Sequence, residues 1–112
     1  MVELRRAIRI AVDLPARVRS LVASSDGRAV NLSQSGILFI GTGTARALQH
    51  ESIHMELDLP DPESPVLVGG EIVWCQATGV AGIRFTDIAV SSRRRLANFV
   101  IRRAYDLFPL PR

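Results

Sequence analysis

Short segments in which apolar and polar residues alternate run through most of the chain, separated by turn-forming residues. Ile8 to Leu14 alternates and is interrupted at Pro15, and Arg17 to Val22 resumes the pattern. Ser24-Ser25-Asp26-Gly27 then reads as a hairpin turn. Ala29–Ser33 and Gly36–Ile40 form two further short strands around a tight Ser-Gly bend, followed by a loop at Gly41-Thr42-Gly43. Ile53 to Leu59 has a strict period of two, the clearest strand in the sequence. Three prolines among residues 60–65 require a loop. Val66–Val68 through Ile72–Cys75 reads as one long strand bent at Gly69-Gly70, and Ala77-Thr78-Gly79 turns the chain into a last strand, Val80–Phe85.

After Asp87 the period changes. Leu96, Phe99, Val100, Ala104 and Leu107 share one face of an amphipathic helix that Pro109 and Pro111 end. About six strands and one terminal helix in 112 residues predict an all-β domain: a small antiparallel barrel with a C-terminal helix packed on it. The length suits a single domain over 1–112, with an Arg-rich N-terminal segment at 1–9 expected to be mobile, a barrel over 10–87 and a helix over 88–108.

Composition narrows the chemistry. Hydrophobic residues make up 47% and charged residues 22%, a globular balance. One cysteine, Cys75, excludes an internal disulfide framework and a multi-thiolate zinc site, and reads as an inert side chain. All 14 basic residues are Arg, so a Walker-type phosphate loop and Schiff-base chemistry are excluded, and every cation is a planar fork suited to phosphate or a guanine edge. The N-terminus lacks the apolar run of a signal peptide and no stretch has the length of a membrane helix, so a cytoplasmic protein is expected.

The net charge of +3 is unevenly distributed: residues 1–19 carry five Arg and two acids, residues 20–83 two Arg and seven acids, and residues 84–112 seven Arg and two acids. Two basic ends around an acidic middle favour local anion sites over a continuous nucleic-acid surface.

Two motifs carry specific chemistry. Arg5 and Arg9 form an Arg-x-x-x-Arg pair ahead of the first strand, and Asn31-Leu32-Ser33-Gln34-Ser35-Gly36 is Asn-x-Ser-x-x-Gly at a strand-to-strand bend. A guanidinium fork matches phosphate oxygens and the O6 and N7 acceptors of guanine, and its plane stacks on a base. Asn31 and Ser33, two apart, are expected to project to one face and offer an amide and a hydroxyl to a base edge. Gly36 either clears space for a ligand at the backbone or supplies a positive φ for the bend. Asn31 to Gly36 is also compatible with a purely local hydrogen-bonded turn.

In these residues the chain resembles the PilZ domain, a bacterial receptor for cyclic di-GMP whose signature is Arg-x-x-x-Arg followed some twenty residues on by Asp/Asn-x-Ser-x-x-Gly. The resemblance covers nearly the whole chain and extends to the final hairpin, Ile72-Val73-Trp74 with Gly82-Ile83-Arg84-Phe85. It implies a six-stranded antiparallel barrel with a C-terminal helix, a bacterial cytoplasmic location, and no cofactor beyond the cyclic di-GMP ligand itself. It implies that Arg5 and Arg9 clamp phosphate and guanine while Asn31, Ser33 and Gly36 hold the other guanine against the barrel. Arg6 and Trp74 are expected as additional contacts, although Trp74 also fits a partly buried core position. Asn31 stands where Asp is commoner and offers one acceptor and a donor, a weaker grip on guanine N1–H and N2–H₂. Leu4 ahead of the Arg pair implies one ligand per site.

The function so implied is a stand-alone cyclic di-GMP receptor that changes shape on binding and regulates a protein partner. The alternatives are a PilZ-like adaptor that binds no nucleotide and, third, a small nucleic-acid-binding barrel. No nucleophile elbow, His-Glu-x-x-His or dinucleotide fingerprint occurs, so no enzyme is expected. His50 and His54 are four apart, but His54 lies in a strand pattern without a third ligand, so no metal is expected. Arg17, Arg19, Arg28, Arg46, Arg102, Arg103 and Arg112 need no role beyond solubility. Arg93-Arg94-Arg95 opposes the helix dipole and so calls for compensation, either from solvent or from a partner or anion.

Overall fold

The computed structural model describes residues 9–21, 23–41, 51–61, 63 and 65–107. Six strands, β1 (Ile10–Arg19), β2 (Ser24–Leu32), β3 (Gly36–Gly41), β4 (Ser52–Leu57), β5 (Val66–Cys75) and β6 (Val80–Ile88), precede one helix, α1 (Val90–Leu107). All pairings are antiparallel and the sheet closes in the order β1-β2-β3-β6-β5-β4. Closure leaves no unpaired edge, and one residue in two along each strand points into the barrel. Phe39, Ile10, Leu32, Ile53, Met55, Leu57 and Ile72 fill that interior. Each such side chain contributes about 1.5–3 kcal/mol by burial, so the alternation read from the sequence is what closes the barrel. Leu96 and Val100 of α1 extend the same core, with Phe99 and Ala104 packed beside them, and the helix rests mainly on β5 and β1. The side chain of Leu107 lies outside the described residues.

Two local expectations are corrected. Pro15 does not interrupt β1 but lies within it. Its carbonyl accepts a hydrogen bond from Asp58 N (3.0 Å), and its nitrogen, on the same side, faces the position just beyond the last β1–β4 pair, Ala16↔Leu57. The missing N–H therefore costs only the return bond to Asp58, at the very end of the β1–β4 ladder. Ser24–Gly27 are strand residues paired with Arg19–Ala16, and the hairpin turn falls earlier. Ser20 N donates to Ala23 O (2.8 Å) and the Ser20 hydroxyl accepts from Ala23 N (3.3 Å), so Ser20 builds the turn that Ser24 was expected to open. The Gln76–Gly79 turn is as expected: Gly79 takes φ 94° and its N–H donates to Gln76 O (3.0 Å).

Several arginines assigned only to solubility make cross-strand ion pairs. Arg28 pairs with Asp13 between β2 and β1. Arg17 Nε and Nη2 donate to Glu56 Oε2 (3.1 and 2.9 Å) across the β1–β4 seam, with Asp58 and Arg19 nearby. The hydrogen bonds from Arg17 hold the Glu56 carboxyl below its ordinary value of 4.5, against a smaller opposing effect of burial. A carboxylate whose folded-state pKa is lowered stabilises the fold above its unfolded pKa, and that contribution disappears as pH falls through the folded value. Chemical denaturation of the wild type and Glu56→Gln across acid pH should therefore show a wild-type advantage at neutral pH that shrinks below about pH 4.5. A pH-independent difference would contradict the assignment.

Candidate functional site

The sheet's register shifts at Ala11/Leu14, Ala29/Asn31, Gly69/Gly70 and Ile72/Trp74, and the second and the last of these lie at one site. Along β5, Val66, Val68, Gly70 and Ile72 point inward, so a simple period of two would place Trp74 inside the barrel. The β5–β6 ladder instead steps from Ile72↔Ile83 to Trp74↔Gly82, leaving Val73 as an extra residue in a bulge. The phase shifts and Trp74 emerges on the outer surface at 43% exposure, so the core reading of this residue does not hold. In β2 the ladder to β3 steps from Ala29↔Phe39 to Asn31↔Leu38, with Val30 extra. Leu32 thereby takes the inward position and Asn31 is turned outward, half-buried. Two bulges thus re-aim one amide and one indole onto the same outer wall.

Between them is an open depression of about 280 Å³ lined by Arg9, Asn31, Ser33, Ser35, Gly36, Leu38, Val73, Trp74 and Arg84, floored by Gly82 and the backbone of Ile37 and Ile83. Gly82 has a steric reason. A Cβ there would stand 2.6 Å from Trp74 Cε2, so the indole sits directly over bare backbone with its other side open. That is a stacking platform for a planar group. Gly36 is constrained by the sheet instead: a Cβ would collide with the Ile83 carbonyl oxygen on the neighbouring β6. Among the described glycines only Gly79 has positive φ, so of the two readings of Gly36 the backbone-conformation one is excluded. What it permits is the close approach of β3 to β6 beneath the depression.

Ser33 lies just beyond β2, buried, and its hydroxyl serves the bend. Its Oγ accepts from Ser35 N (3.2 Å), lies 3.2 Å from Ser35 Oγ and donates to Gly36 O (3.3 Å), while Ser33 N donates to Gly36 O (3.0 Å). Ser35 O in turn accepts from Phe85 N (2.9 Å), which pins the bend to β6. The Asn31 amide makes no hydrogen bond to another described residue, so its donor and acceptor are available to a ligand.

Arg9, exposed just ahead of β1, and Arg84 on β6 supply positive charge, and no carboxylate lines the depression among the described residues. Arg84 makes an ion pair with Glu71 on β5 and was missed as a site residue; its signal is the period of two from Gly82, which puts both on the outer face of β6. Ser35 and Val73 were missed as well, because one belongs to a turn and the other to a bulge. Of the residues expected at the site, Arg9, Asn31, Ser33, Gly36 and Trp74 are brought together here. Arg5 and Arg6 lie outside the described residues, as do Leu4 and His50. His54 is an exposed residue of β4, and no group of three or more potential metal ligands occurs among the described residues. No helix there is long and apolar enough to cross a membrane.

Comparison with known proteins agrees with this geometry. No curated protein sequence matches the chain. Among solved structures, the Bacillus subtilis inhibitor of motility, MotI/DgrA, is similar with a TM-score of 0.73 at 16% identity, over 88% of this chain and 50% of that one. The chain therefore spans about half the length of that protein, and the likeness is one of fold. A family model for the PilZ domain matches residues 3–102, which takes in both arginines of the first motif, the whole Asn-x-Ser-x-x-Gly bend and the strands that carry Trp74 and Gly82. By that match, over nearly all of its length, the chain belongs to the PilZ domain family.

Proposed function

We propose that the protein is a cyclic di-GMP receptor whose ligand lies in the depression between the β2–β3 bend and Trp74, and that binding regulates a protein partner. The observation that carries this reading is the convergence, in one depression whose lining has no carboxylate, of an unengaged amide, a platform indole and two guanidinium groups, of which Arg84 is shared with Glu71. In the proposed complex the Asn31 carbonyl oxygen accepts from guanine N1–H or N2–H₂. The Ser33 hydroxyl is committed to the bend, so Ser33 acts by holding Asn31 and the Ser35 region in place. A guanine ring rests on the exposed side of Trp74, and Arg9 forks onto phosphate or stacks on a base. Arg5, and with it Arg6, would close over the ligand from the N-terminal side and alter the surface offered to a partner. The depression alone, at about 280 Å³, falls just below the roughly 300–1,000 Å³ usual for ligand clefts, which suits a site completed by such a segment.

Calorimetric titration of cyclic di-GMP tests this reading. Saturable binding to the wild type is expected. Arg9→Ala and Asn31→Ala should each weaken it about 10- to 100-fold, the loss of a charge-assisted hydrogen bond in the first case and a base-edge contact in the second. The absence of heat with the wild type, or unchanged affinity in both variants, would refute it. The chain contains one Trp, so its fluorescence reports the platform directly. Cyclic di-GMP should quench Trp74 emission in the wild type, whereas Gly82→Ala, which displaces the indole, should lose most of the quench and weaken binding at least about tenfold while the circular dichroism of the barrel is kept.

A further inference from the structure

Positive charge is distributed on this molecule in two ways. Arg17, Arg19, Arg28, Arg84 and Arg95 all have carboxylate partners. The run Arg93-Arg94-Arg95 divides along this line: Arg95 donates to Asp61 Oδ1 (2.9 Å) and meets Glu63 Oε2 (3.0 Å), which ties the start of α1 to the β4–β5 loop. Arg93, Arg94, Arg102 and Arg103 make no ion pair among the described residues. The first turn of α1 contains no acid, so Arg93 and Arg94 work against the helix dipole without local compensation. Asp106 is the only acid in the helix. Arg93 and Arg94, kept at the start of the helix at a cost to its stability, indicate a surface shaped by something other than folding.

The same helix leaves an apolar stripe uncovered. Leu96 and Val100 face the barrel, whereas Val90, Ile101 and Tyr105 are 72%, 41% and 56% exposed. At 3.6 residues per turn these three fall within about 60° of one another, on a line that also holds Arg94. Beside the stripe, a groove of about 410 Å³ runs between α1 and the β4–β5 loop, with Phe99 in its wall, Arg102 and Arg103 on its rim, and Asp61 and Asp106 as its carboxylates.

We infer that the exposed face of α1 is a docking surface for an acidic amphipathic helix of a partner protein, whose apolar residues cover Ile101 and Tyr105 and whose carboxylates pair with Arg94 and Arg102. Charge complementarity selects this occupant: a second copy would set its own arginines against these, and a nucleic acid would leave the apolar stripe unused. The inference deepens the proposed receptor function by naming the kind of partner it regulates. β5 would connect the two, since it lines the ligand depression with Val73 and Trp74 and also carries α1.

A photo-crosslinking amino acid placed at Ile101, with Leu67 on the outer face of β5 as the control position, tests the surface in the cells from which the protein comes. Mass spectrometry of the adducts is expected to find a protein segment rich in Asp and Glu, with a yield at least about tenfold lower when Arg94→Glu and Arg102→Glu are combined. Adducts to a second copy of this chain, adducts to nucleic acid, a yield no higher than at Leu67, or a yield unaffected by charge reversal would each overturn the inference. Arg94 and Arg102 lie on α1 and do not line the depression, so the charge-reversed protein should bind cyclic di-GMP within about twofold of the wild type. Loss of adducts with ligand binding intact is specific to the docking surface, whereas failure of the wild type to bind cyclic di-GMP refutes the receptor reading and leaves the crosslinking result to decide the surface.

Discussion

The close approach of β3 and β6, with a bulge in the strand on the other side of each, is the constraint on which the outer wall of this barrel depends. Gly36 lets β3 lie against the Ile83 carbonyl, and Gly82 leaves room for an indole to lie on β6. Neither would matter without the bulges at Val30 in β2 and Val73 in β5, which move Asn31 and Trp74 out of phase with the core. A barrel with perfect alternation would have buried both, where an amide needs a partner and an indole must displace other core side chains. One extra residue in each strand converts two inward positions into two arms of an outward-facing cradle, while Leu32 and Ile72 keep the core closed beneath it.

The parts of the molecule governed by local rules were legible in the sequence. Strand periodicity, the helical face at Leu96 and Val100, the Gly79 turn and the Asn-x-Ser-x-x-Gly bend depend on neighbours a few residues away. What sequence reading missed depends on partners far along the chain. Pro15 is tolerated because β4 ends opposite it, which no feature of β1 reveals. Ser24–Gly27 have turn composition but are held extended by Arg19–Ala16, an override of propensity by pairing. Trp74 was ambiguous because a bulge is invisible to a period of two, and Arg84 was overlooked because its membership of the site comes from the β3–β6 and β5–β6 registers.

The uniform use of arginine resolves into three distinct jobs. Ion pairs such as Arg17 with Glu56 and Arg28 with Asp13 lace strands together on the outside of the barrel. Arg9 and Arg84 border a depression whose lining contains no carboxylate, although Arg84 is also paired with Glu71 beside it. Arg95 anchors α1 to the β4–β5 loop, whereas its neighbours on the helix remain uncompensated. Identical chemistry is thus sorted by what the fold places opposite each guanidinium, and the acidic middle of the chain supplies most of those partners.

The most direct measurement of the central claim is a heteronuclear NMR titration of the protein with cyclic di-GMP, read residue by residue. The single indole N–H, from Trp74, together with the backbone amides of Asn31, Ser35 and Gly82, should shift saturably, while the amides of β4 from Ser52 to Leu57 stay in place. A spectrum unmoved by the ligand, or shifts that cluster on β4 or α1 and spare Trp74 and Gly82, would contradict the assignment of this wall as the binding site.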